Sequence, residues 1–205
     1  NNFGRYNLSG AAATPRGGSF TARGGSYARG IYNSGSGVTL EAESITALAE
    51  DGTSSNYGLY NASSAAAILR DGSFTGRGGT AYGIYNDGAS TTLEAEGITA
   101  LGENGDSYNY GLYNFYGAVT LRGGSFTARG GTYTRGIVNY GSGATLEAER
   151  VSVLAENGFA NNYGLYNYSG AATLRGGSCI GRGGVAYGIY NIGSGATLDT
   201  GNLTA

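Results

Sequence analysis

The sequence has no lysine, histidine, methionine or tryptophan, and only one proline and one cysteine in 205 residues. Without histidine there is no imidazole base and no histidine ligand for zinc. A single cysteine forms no internal disulfide. The twelve cations are all arginine and stand against fourteen acids, for a net charge of −2. That balance supplies no basic field for nucleic acid or for an anionic membrane. No apolar run is long enough to read as a membrane-spanning helix. An initiator methionine and a signal peptide are missing from the segment, so the expected origin is a processed chain or an excerpt of a longer one.

What the chain has is glycine, 41 residues of it, and a repeat. Gly30-Ile31-Tyr32-Asn33 returns as Gly58-Leu59-Tyr60-Asn61, Gly83-Ile84-Tyr85-Asn86 and onward to Gly188-Ile189-Tyr190-Asn191. Asn-to-Asn spacings of 26, 28, 25, 28, 25, 28 and 24 alternate short and long. A period in the twenties with that alternation marks a solenoid whose unit is two coils, about 53 residues. Short stretches such as Thr39-Leu40-Glu41-Ala42-Glu43 alternate apolar with polar, the period of a half-buried strand. Helical spacing is absent, and this much glycine is costly in helices. Three short strands and three turns per coil describe an all-β parallel β-helix of eight coils. The expected organisation is one domain over 1–205, with repeat units at about 1–54, 55–107, 108–160 and 161–205.

Stacking the coils about 4.8 Å apart turns each slot into a column. Aligned on the leucine that follows each Asn, Leu40, Leu69, Leu93, Leu121, Leu146, Leu174 and Leu198 form one inward file. Phe20, Ile45, Phe74, Ile98, Phe126, Val151, Cys179 and Leu203 form a second, and Ile31, Leu59, Ile84, Leu112, Ile137, Leu165 and Ile189 a third. Cys179 replaces a phenylalanine and is expected to be a buried thiol. Asn7, Asn33, Asn61, Asn86, Asn114, Asn139, Asn167 and Asn191 share the inward parity of the third file. They are expected to form an amide ladder that satisfies polar groups at a bend. The glycine two residues before each Asn is expected at a bend or facing outward. Arg29 and Arg135 share a slot with Tyr57, Tyr82, Tyr110, Tyr163 and Tyr187. A buried unpaired arginine is too costly, so that slot is expected at a partly exposed corner.

Outward slots carry the candidate functional surfaces. The leucine alignment places Arg16, Glu41, Arg70, Glu94, Arg122, Glu147, Arg175 and Asp199 in one file of alternating sign. Slipping by one coil would set like charges together, which accounts for a two-coil repeat. Tyr32, Tyr60, Tyr85, Tyr113, Tyr166 and Tyr190, with Tyr6 before them, form an aromatic strip interrupted by Val138. It is expected to stiffen the rod, and is a candidate for lateral packing or for glycan contact. Threonine files could suit ice, but the neighbouring outward slot holds charges. Glu50-Asp51, Glu103 with Asp106, and Glu156 lack the recurring pattern of a calcium loop and read as solvated turns. No catalytic residues, metal site or cofactor are identified.

Gly136-Ile137-Val138-Asn139-Tyr140-Gly141-Ser142-Gly143-Ala144-Thr145-Leu146-Glu147-Ala148-Glu149 resembles β-helix repeats of large secreted bacterial surface and tail-fibre-like proteins, as does most of 188–198. The resemblance covers the whole chain. It implies a right-handed helix of the pectin-lyase-like kind. The catalytic acids of that fold have no matching positions here. The expected function is a structural extracellular subunit whose copies stack head to tail, with Arg5, Pro15, Arg16, Asp199 and Leu203 at the end-to-end contact and Arg16 facing Asp199 of the neighbouring copy. An adhesin or carbohydrate-binding stalk using the tyrosine strip is the alternative. A polysaccharide-degrading enzyme is more remote.

Overall fold

A computed structural model describes residues 1–8 and 10–205. Among the described residues there is no helix, and nineteen strands form one continuous sheet in which every pairing is parallel. The first coil contributes β1 (Asn2–Leu8), β2 (Ala12–Ala13) and β3 (Ser19–Arg23). The second lays β4 (Tyr27–Ser34), β5 (Thr39–Glu43) and β6 (Thr46–Glu50) directly over them. Each coil therefore has three faces, called one, two and three in chain order. The pattern repeats through eight coils; toward the C-terminus the hydrogen-bonded runs Thr145–Tyr168 and Ala171–Ile192 turn the corners without a break. The chain is a parallel β-solenoid, as its repeat implied.

Face one is in the expected register. Ile31 lies level with Leu59, Leu59 with Ile84, and so on to Leu165 with Ile189. Its strands do not alternate strictly, however. In β4 both Gly30 and Ile31 are buried. A Cβ on Gly30 would come within 2.8 Å of the Leu48 amide nitrogen on face three and of the Gly58 carbonyl oxygen in the next coil. Glycine is required here because two backbones meet with no side chain between them. The glycine thus faces inward at a bend and not outward. Because the bend consumes one inward position, the residue before it points out. That is why Tyr57 and Arg29 stand on the outside, half-exposed, as expected for a corner.

Faces two and three are shifted by two residues from the leucine alignment. Leu40 stands level with Ala67 and Ala42 with Leu69. Leu93 in turn meets Ala67 and Val119, while Ala95 meets Leu69 and Leu121. The leucines therefore form two adjacent files in which large and small residues alternate out of phase, instead of one file. Face three does the same: Phe20, Ala47, Phe74, Ala100, Phe126, Val153 and Cys179 share a file. Ile98 and Val151 share the next file with glycine, and a Cβ on Gly72 would lie 2.9 Å from the Ile45 carbonyl oxygen. Each layer holds one bulky residue where its neighbours hold a small one, so side chains interlock along the axis at crystal-like density. The outcome is one long buried cluster from Ala13 to Cys179, with a small second one of Ala22, Ala28 and Ala49 beside it.

Candidate functional site

The most regular feature is the amide ladder. Asn7 Nδ2 donates to Asn33 Oδ1 at 2.8 Å, Asn33 to Asn61 at 2.7 Å, Asn61 to Asn86 at 2.8 Å and Asn86 to Asn114 at 2.9 Å. The series continues through Asn139 and Asn167 to Asn191. Most of these Nδ2 groups also donate to the carbonyl that opens the face-two strand of the next coil, as Asn61 does to Thr92 at 2.9 Å. All six from Asn33 to Asn167 are completely buried. Every amide donates toward the C-terminal end. The ladder therefore has a direction, with the Asn7 acceptor at one end of residues 1–205 and the Asn191 donor at the other.

Sequence reasoning missed a second buried set, Asn56, Asn109 and Asn162. Asn56 Oδ1 accepts from the Gly52 amide, while its Nδ2 donates to the Gly52 and Gly78 carbonyls. Asn109 and Asn162 bind Gly105 and Gly158 in the same way. These side chains close the longer loops of the even coils. The signal was the Gly-x-x-x-Asn spacing found only in the longer half of each repeat.

The tyrosine strip is two files wide. The outer rings stack at centroid separations of 5.2 Å (Tyr6–Tyr32), 5.3 Å (Tyr32–Tyr60) and 5.2 Å (Tyr60–Tyr85), with Tyr113 and then Tyr166–Tyr190 beyond. Beside them Tyr57, Tyr82 and Tyr110 stack at 4.8 and 4.9 Å. Arginines substitute for rings in the second file. The Arg29 guanidinium lies 5.1 Å from both the Tyr32 and Tyr60 centroids. The Arg135 guanidinium lies 4.4 Å over Tyr166 and donates to Tyr110 Oη at 3.3 Å. Such cation–π contacts contribute about 0.5–2 kcal/mol each. Small Val138, fully buried, stands in the outer file in the same strand as Arg135, level with Tyr113 and Tyr166. From Tyr6 to Tyr85 the outer ring faces are turned toward one another along the axis, and the stack tilts at Tyr113. Burial raises the Tyr110 phenol to about 12 and pushes Tyr57, Tyr60, Tyr82, Tyr85 and Tyr113 upward as well.

Two charge ladders run down the outside. On face two Arg16 is level with Glu43, Glu43 with Arg70, Arg70 with Glu96, Glu96 with Arg122, and Arg122 with Glu149. This corrects the expected partners. Glu41, Glu94, Glu147 and Asp199 stand one outward file away, level with Ile68, Thr120 and Thr173. The alternation of sign survives because a two-residue shift preserves the outward face. Arg175 still reaches Asp199 diagonally, at 3.0 Å. The second ladder was not foreseen. On face three Arg23, Glu50, Arg77, Glu103, Arg129 and Glu156 pair at 2.5 Å (Arg23–Glu50), 2.7 Å (Arg77–Glu103) and 2.8 Å (Arg129–Glu156). Glu50, Glu103 and Glu156 are thus half-buried ion-pair partners and not solvated loop acids.

Cys179 is a free thiol, fully buried in the phenylalanine file, and burial alone pushes it up to about 12. It is held as an inert apolar group. Of the candidate end residues, Arg5, Pro15 and Arg16 lie in the first coil and Asp199 and Leu203 in the last. Arg5 is level with Ile31 and lies 5.5 Å from the Phe20 centroid, with a buried Nε that has no partner. Leu203 packs against the core. Leu198, Val185 and Ile192 of the last coil are exposed. No family model, curated protein or solved structure matches the chain.

Proposed function

We propose that this chain is a structural rod, outside the cell, that lengthens by head-to-tail stacking of its coils. The observation that carries the reading is the one-way amide ladder. The Asn191 donor and the Asn7 acceptor are complementary, and each lies in an outermost strand of residues 1–205, a place where a further strand adds by backbone pairing. A following copy in the same register sets Thr14 over Asp199 and Arg16 over Gly201, by extension of the pairing between Thr173 and Asp199. Arg16 then meets Asp199 diagonally, as Arg175 does within the chain, and Pro15 lies beside Thr200. Such a contact is heterologous and does not close, so it builds an open filament. The right-handed, pectin-lyase-like form and the extracellular setting rest on the repeat resemblance. The reading assigns the chain no chemical step.

Eight coils at about 4.8 Å give a rise of about 38 Å per copy. Electron microscopy of concentrated protein should show filaments with that axial repeat. Asp199→Arg, which brings a cation to Arg175 and to the next copy's Arg16, should shorten them. Discrete rods of single-copy length at every concentration would refute the stacking.

A further inference from the structure

The two charge ladders use the same residue types yet behave differently. On face three Arg23, Arg77 and Arg129 are consumed within the chain, at 2.5–2.8 Å from glutamates whose side chains are only 16–19% exposed, and Arg182, level with Glu156 near the C-terminal end, is the exception. On face two the outer arginines are paired at exposed sites, Arg16 with Glu43 at 3.7 Å and Arg175 with Asp199 at 3.0 Å, but the central Arg70 and Arg122 have no carboxylate within 4.0 Å among the described residues. This is so although Glu43 and Glu96 stand level with Arg70, and Glu96 and Glu149 with Arg122. Glu41, Glu94 and Glu147 are likewise unpaired, and all of these residues are exposed. The outward side chains splay from one another and leave three hollows of 310, 350 and 300 Å³. Each is lined by two glutamates of an even coil with an arginine of an odd coil on either side along the axis: Arg16 and Arg70 around Glu41 and Glu43, and Arg70 and Arg122 around Glu94 and Glu96, where Glu147 of the next even coil also reaches the rim. Arg122 and Arg175 frame the third, around Glu147 and Glu149.

The hollows and the arginines therefore recur with the same two-coil spacing, about 9.6 Å. We propose that face two is a lateral interface between two copies of this chain, with the arginines of each rod seated in the glutamate hollows of the other. A two-fold axis perpendicular to the rods, passing between coils, sets every odd coil opposite an even one. Antiparallel rods that overlap fully then place Arg70, Arg122 and Arg175 each against two carboxylates and Arg16 against Asp199 alone, and the contact is the same from both sides. A parallel pair about an axis along the rods would set arginine against arginine instead. A single exposed pair contributes about 0–1 kcal/mol, so specificity comes from matched spacing and strength from the number of pairs along the rod. This pairing is independent of end-to-end stacking, since it uses a side of the rod and not its ends.

Electron microscopy and sedimentation of the whole chain read the two contacts separately, as width and as length. In about 20 mM NaCl paired rods of double width are expected, and in about 500 mM NaCl single ones, because exposed pairs are screened. The variant carrying Arg70→Glu and Arg122→Glu should stay single at both salt concentrations, at unchanged filament length. So should one carrying Glu94→Arg and Glu147→Arg. Mixing the two variants at low salt should restore double width, because the acids introduced at positions 70 and 122 of one then face the cations introduced at positions 147 and 94 of the other. Should a variant fail to fold, the salt series on the unmodified chain decides alone. Single-width rods in low salt, or a width indifferent to salt and to charge reversal, would overturn the proposal. Pairing that appears only when calcium is added would overturn it too.

Discussion

At the scale of single residues the fold depends on amides that water cannot reach. Asn86 accepts from Asn61 and donates to Asn114, at 2.8 and 2.9 Å, and is completely buried. Asn86→Ala would leave the Asn114 oxygen without its donor in a site closed to solvent. The expected loss is about 2–4 kcal/mol, because an orphaned buried polar group costs its full desolvation. Asn191→Ala removes one bond at an exposed end and should cost no more than about 0.5 kcal/mol. Thermal melts followed by far-UV circular dichroism would compare the two; equal losses would mean the ladder is not what holds the coils in file. Buried ionisable groups define a pH window as well. Cys179 is raised from 9.0 to about 12 and Tyr110 from 10.0 to about 12, in both cases first by burial. A raised pKa means the folded state keeps its proton longer. That contribution is whole below the unfolded values and is lost as pH climbs through 9–12. For Tyr110 it is about 2–3 kcal/mol. Stability should be flat up to pH 9 and fall steeply by pH 12, with tyrosinate absorbance rising together with loss of structure. A tyrosinate signal that precedes unfolding would show the rings to be more accessible than their stacking implies.

At the scale of strands, the corner between faces two and three explains both what the sequence disclosed and what it hid. The repeat, the strand class, the third apolar file, the asparagine ladder and the tyrosine column were legible because each rests on a fixed motif, Gly-x-Tyr-Asn, that appears in nearly every coil. Register on the other two faces was not. Leucine moves by two positions between odd and even coils, and two alignments that differ by two residues keep the same faces in and out. The deciding residue is the one that turns the corner. Gly17, Ser44, Asp71, Gly97, Gly123, Arg150, Gly176 and Asn202 all have φ between 43° and 66°. These are mostly residue types that tolerate the left-handed region. Aligning on them sets Glu43 level with Arg70 and Ala42 with Leu69, as the structure does. The arginine in that file is the exception, held at φ 54° with only an exposed 3.3 Å contact to Glu149. Arg150→Gly should therefore stabilise the rod by about 0.5–1 kcal/mol, seen as a higher melting temperature. A decrease would mean that the Glu149 contact outweighs the backbone strain.

At the scale of the whole molecule, a solenoid holds each coil only through the coils beside it, so stability is greatest in the middle and least at open edges. The burial pattern follows that rule. Ile84, Leu112 and Ile137 are sealed completely, whereas Val185, Tyr187, Ile192 and Leu198 of the last coil are 52, 46, 42 and 36% exposed. Amide hydrogen exchange on dilute protein should grade accordingly. Coils three to six should exchange last, and the strand at 185–192 and β1 first, since each has sheet partners on one side alone. Head-to-tail stacking changes this gradient in a way that lateral pairing does not. When a copy docks, the amides of 185–192 and of β1 enter the same new ladder and should gain protection together, in step with concentration. Lateral contact through face two adds no backbone hydrogen bonds and should leave both ends open, moving only the glutamate and arginine side chains. Protection that rises at one end alone, or across the middle coils instead of the edges, would exclude the stacked filament while leaving the solenoid itself intact.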